Sequence, residues 1–84
     1  MQALVVTAID GYRIRVSFID GTTGIVELSD FIEKGIFRDL KDENLFRKVY
    51  ISGSAIAWSD ELEIDTDAIY AEIIDKEPAE IFHQ

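Results

Sequence analysis

The sequence contains no cysteine, so neither a disulfide nor thiolate chemistry is open to it. Its one histidine, His83, stands next to last, and its one proline, Pro78, lies close by. A chain with no internal histidine lacks the commonest general base, and nothing near His83 in sequence would activate it or complete a metal set. Bases are scarce too: eight Lys and Arg against seventeen Asp and Glu leave a net charge of −9. Phosphate repels such a chain, so direct nucleic-acid binding is not expected. No apolar run approaches the roughly 20 residues that span a bilayer. The opening MQALVVTAIDGYRIR has neither the basic start nor the apolar run of a signal peptide. No membrane association is expected, and a small domain without disulfides fits the cytoplasm best.

What is present suits one small globular domain spanning residues 1–84, with its core over about 3–74 and a tail, 75–84, that docks or frays. Hydrophobic residues make up 48% of the chain, enough for a core. The charge is uneven. Residues 1–41 hold six acids and five bases, a net of −1, whereas 42–84 hold eleven acids and three bases, a net of −8. An acidic surface maintains solubility, and it also attracts a basic partner over distance.

Residues 3–9, ALVVTAI, are almost all apolar and read as a strand buried on both faces. Asp10-Gly11 signals a two-residue hairpin turn. In YRIRVSFI, residues 12–19, the side chains of Tyr12, Ile14, Val16 and Phe18 alternate with Arg13, Arg15 and Ser17, marking a strand with one wet face. Asp20-Gly21 is a second turn, leading to a third strand, Thr22–Leu28. Ser29 or Asp30 caps a short helix that Gly35 stops, and Asp30 with Glu33 has capping-box spacing. Asp42 caps a second helix over about Glu43–Lys48. Val49–Ile51 and Ala55–Trp58 form a further hairpin around Ser52-Gly53-Ser54. An acidic loop, residues 59–67, precedes a third helix, Ala68–Ile74, capped by Asp65, Thr66 or Asp67. The fold class expected is α+β: a small antiparallel sheet, consisting of a three-stranded meander plus a second hairpin, with two to three short helices on one face.

Candidate sites are few. Asp60, Glu61, Glu63, Asp65 and Asp67 crowd into eight residues, a candidate partner-binding set. As an alternative, these acids would serve a small-molecule or metal-binding domain. However, Leu62 and Ile64 break the spacing of an EF-hand loop and no glycine stands at its sixth position, so neither a metal nor any cofactor is expected. Arg13 and Arg15 share the wet face of the second strand and could meet a partner's carboxylates or phosphates, or pair with Glu27 across the sheet. Arg38, Arg47 and Lys48 form a weaker basic group. The serines lack a nucleophile elbow and an internal histidine to activate them. Gly21 and Gly24 lack the lysine and spacing of a phosphate loop and read as turn glycines. Trp58, Phe31, Phe37 and Phe46 are assigned to the core. With no nucleophile or acid–base constellation, an enzyme is not expected.

Asp20-Gly21, Val26-Glu27-Leu28, Gly35-Ile36-Phe37, Leu40, Leu45-Phe46, Gly53, Ile56, Trp58 and the closing Asp65-x-x-Ala68-Ile69-Tyr70 carry a resemblance over roughly residues 3–74. The chain resembles the small bacterial proteins of domain of unknown function 2442. That resemblance implies a small α+β fold and non-enzymatic members, some fused to a helix-turn-helix domain. Many are encoded beside another small protein, in an arrangement similar to a toxin–antitoxin pair. It assigns no functional residues. The combined expectation is a cytoplasmic interaction module with a basic protein partner, whose exposed sheet edges would also allow association with a second copy.

Overall fold

The computed structural model describes residues 1–33 and 35–76. The chain runs through β1 (Ala3–Ile9), β2 (Arg13–Phe18) and β3 (Thr23–Glu27). Two short 3₁₀ segments (Phe31–Glu33 and Gly35–Lys41) and α1 (Glu43–Phe46) follow. The chain then forms β4 (Tyr50–Ser52), β5 (Ala55–Ser59), β6 (Leu62–Asp65) and α2 (Thr66–Lys76). The strands make two antiparallel three-stranded sheets, ordered β1-β2-β3 and β4-β5-β6. The fold is α+β, and the meander predicted from the alternation of β2 is present.

Register follows from that alternation. Ile14, Val16 and Phe18 are fully or almost fully buried, while Arg15 between them is exposed. A one-residue slip would invert this set, so the pairing is strongly specified. The second turn is a three-residue loop, Ile19-Asp20-Gly21. The Gly21 N–H donates to the Phe18 carbonyl at 3.0 Å, and Gly21 takes φ +93°. The Asp20 carboxylate accepts the Thr22 N–H at 2.9 Å, which fixes the exit of the turn.

Several expectations are corrected. β1 is not buried on both faces: Leu4 and Val5 are exposed, and Leu4 is the extra residue where register shifts between Ala3 and Val5. Only one side of this sheet is covered, so an apolar sequence here does not mean double burial. The first turn takes three residues, because Tyr12 leaves the strand with φ +61°. There its ring meets Phe46 edge-on at 5.4 Å and its hydroxyl donates to the Lys41 carbonyl. The first helix is only 3₁₀ and no capping box forms. Gly35, at φ +56°, breaks the segment before an α-helical nucleus can pay back its cost. The Glu33 carboxylate instead pairs with Lys41 at 3.0 Å.

Asp42 does cap α1, its carboxylate accepting the Asn44 N–H at 2.9 Å. The expected acidic loop is largely a strand. Leu62 and Ile64 are buried in β6 while Glu63 and Asp65 alternate outward, a period-two pattern that the density of charge obscured. Of the three caps proposed for the last helix, Asp65 has the role, accepting the Asp67 N–H at 2.9 Å. The expectation for the tail beyond residue 76 lies outside the described residues.

The two inner sheet faces, α1, the 3₁₀ segments and α2 share one hydrophobic cluster. Trp58 is buried at a bulge in β5, stacked on Phe46 at 5.8 Å, and its indole N–H donates to the Phe46 carbonyl at 3.0 Å. β1 lies beside β4, and α2 touches both β3 and β6, the two far edges. The helix thus bridges the edges that the strands leave open. Gly24 permits this approach: a Cβ there would stand 2.6 Å from Ile73 Cγ2. Gly24 is therefore a packing glycine of β3 and not a turn glycine. Phe31 is not core either. It is exposed and rests on Phe37 at 4.6 Å, whereas Phe37 itself is half-buried and packs against the main cluster.

Candidate functional site

Three surfaces bring together the residues from which a site could be built. The first is an acidic band. Asp60 and Glu61 occupy the β5–β6 turn, where the Glu61 N–H donates to the Ser59 hydroxyl at 3.3 Å. Glu63 and Asp65 project from the wet side of β6, and Asp67 follows in the first turn of α2. All five are exposed. Asp65 is occupied with its cap, and Asp67 with an ion pair to the Met1 ammonium. The N-terminal segment is further tied down by the Thr66 hydroxyl, which is buried and donates to the Met1 carbonyl at 2.9 Å. Among the described residues, no three acidic or histidine side chains are grouped closely enough to hold a metal ion. The turn, strand and helix disperse these acids along a ridge and do not converge them on a point.

The second surface is the outer face of β1-β2-β3. Arg13 and Arg15 lie there as expected, Arg13 opposite Glu27 and Arg15 opposite Ile25. Arg13 Nε donates to the Asp10 carbonyl at 2.9 Å, while the Glu27 carboxylate accepts the Ser29 hydroxyl at 3.1 Å. The register therefore brings Arg13 and Glu27 together, but their polar atoms engage other groups. Val5, Ser17 and Thr23 continue this face, giving a mixed arginine, hydroxyl and aliphatic surface.

The third surface was not foreseen. An open groove of about 770 Å³ runs along the seam between the end of β3 and α2. Val26, Leu28, Ile64 and Ile69 form its apolar base. Glu27 and Asp30 stand on one side, and Glu72 and Asp75 on the other. A signal for it was present: Ala68, Ala71, Glu72 and Asp75 recur at helical spacing on the face of α2 opposite Tyr70, Ile73 and Ile74 in the sequence. By contrast, a smaller cavity beside Gly11 and Arg47 measures about 110 Å³, well below the roughly 300–1,000 Å³ of ordinary ligand pockets.

A surface polar contact also ties α2 to the turn between β2 and β3. The Tyr70 hydroxyl donates to the Asp20 carboxylate at 2.6 Å, and its ring meets Phe18 edge-on at 5.0 Å. The bond from Tyr70, aided by the Thr22 N–H, lowers the Asp20 carboxyl below its ordinary range. The same bond raises the Tyr70 phenol. This is a structural clasp at the surface.

Fold and surfaces together define a small α+β domain, with no helix among the described residues long and apolar enough to cross a membrane. The chain belongs to the family described as protein of unknown function (DUF2442), whose model matches residues 3–75. Nothing in that description indicates an enzyme. No curated protein and no solved structure matches the chain.

Proposed function

We propose that this chain is a cytoplasmic, non-enzymatic protein-interaction module that takes a basic protein partner, as the acidic member of a two-gene regulatory pair. The observation that carries this reading is the exposure of all five acids of the band, Asp60, Glu61, Glu63, Asp65 and Asp67, along one turn, one strand and one helix start. A ridge of like charge costs the free domain some self-repulsion and accelerates encounter with a positive surface. The acids of the groove extend the same field. The outer arginine face, with its exposed aliphatic neighbours, is where an acidic partner would instead be sought.

The test is a pull-down of the tagged full chain from extract of its native cell, beside an Asp60→Asn, Glu61→Gln, Glu63→Gln chain. A basic protein should co-purify, should be released by salt, and should be recovered in smaller amount by the triple variant. Capture of an acidic protein that depends on Arg13 and Arg15 would overturn the proposal.

A further inference from the structure

We infer that the seam groove between β3 and α2 is a seat for a basic amphipathic helix of the partner, an assignment that rests on the proposed reading and locates its specific contact. Three features converge. The base of the groove is apolar and belongs to the core cluster, so an apolar stripe laid on it would be removed from water. Its lining is acidic on both elements, Glu27 and Asp30 from the end of β3 and the loop after it, Glu72 and Asp75 from α2, and among the described residues no lysine or arginine lines it.

A helix with lysine or arginine flanking both sides of an apolar stripe matches that arrangement, whereas a strand offers its polar residues on the opposite face. Third, α2 presents the exposed Ala68 and Ala71 to the groove, short side chains over which another helix can approach closely. Phe31, exposed at one end, supplies an aromatic contact of the kind enriched in interfaces. Acidic sides and apolar base thus divide the work: charge orients the helix, and its apolar stripe holds it.

The probe is a dye-labelled peptide of about 15 residues, leucines at i, i+3, i+4 and i+7 and lysines on both flanks, read by fluorescence anisotropy against the full chain. A scrambled peptide of the same composition carries the same charge without the stripe. The amphipathic peptide should bind at least about tenfold tighter than the scrambled one, and Ala68→Tyr with Ala71→Tyr, which fill the groove from exposed positions, should abolish that preference. Glu72→Gln with Asp75→Asn should weaken binding without affecting the melting temperature.

Equal binding of both peptides would overturn the groove assignment while leaving the basic-partner reading intact, since charge alone would then explain capture. Binding of neither peptide, with a basic protein still recovered from extract, would also overturn the groove assignment. Failure to recover any basic protein would sink the parent reading instead. A self-association in sedimentation that the two tyrosines disrupt would assign the groove to a second copy. Binding that appears only in an Ile81→Ser, Phe82→Ser chain would assign it to the chain's own C-terminal residues. Either result would overturn the proposal.

Discussion

At the scale of single residues, two glycines three positions apart in the same hairpin serve unlike needs. Gly21 sits in the turn at φ +93° with open space around its Cα, so a side chain there would be strained only through the backbone. Gly24 has no such backbone, but a Cβ would collide with Ile73 at 2.6 Å. Gly21→Val should lower stability by about 1–3 kcal/mol through strain. Gly24→Ala should do so by a similar amount, about 1–3 kcal/mol, through overpacking.

Urea unfolding of the single and double variants separates the causes. Ile73→Ala should make the further cost of Gly24→Ala much smaller, because the colliding atoms are gone, and should add independently to Gly21→Val. Full additivity of Gly24→Ala with Ile73→Ala would show that the contact is not what constrains Gly24. Gly21 was legible because Asp-Gly announces a positive φ. Gly24 was not, because its constraint comes from a helix almost fifty positions away in the chain.

At the scale of elements, legibility followed local chemistry. The alternation of Arg13 to Phe18 and the Asp42 cap are written in adjacent residues, and both were read correctly. β6 was missed because four acids in residues 60–65 look like a solvated loop, although Leu62 and Ile64 hold strand period and are buried. The exposed positions of the acids of the band follow from the β5–β6 turn, β6 and the start of α2, whereas the groove along Val26, Leu28, Ile64 and Ile69 depends on α2 lying across two strand edges. That docking includes a polar clasp, Tyr70 to Asp20, whose pH dependence has a definite sign.

Asp20 titrates below its ordinary range when folded, so its contribution is present above about pH 4 and fades as pH falls through the folded value. Tyr70 titrates above its ordinary value, so its contribution is full below about pH 10 and fades as pH rises through the folded value. Tyr70→Phe should therefore lower the unfolding midpoint at neutral pH, and the gap from the parent chain should close at both extremes. A gap of constant size from acid to alkali would show that the hydroxyl bond is not its source.

At the scale of the whole molecule, the two sheets and α2 enclose a single core, and the charge on the outside is divided. The meander carries the arginine face, and the half from residue 42 onward carries a net of −8. The central claim is that this acidity steers a basic partner to the molecule. It is tested most directly by stopped-flow association of the dye-labelled amphipathic peptide with the parent chain and with the Asp60→Asn, Glu61→Gln, Glu63→Gln chain, across salt. Association with the parent should slow as the Debye length contracts from about 10 Å at 0.1 M to about 3 Å at 1 M. The triple variant should associate more slowly at low salt, converge with the parent at high salt, and dissociate at an unchanged rate. Equal association rates for the two chains at low salt would contradict the claim.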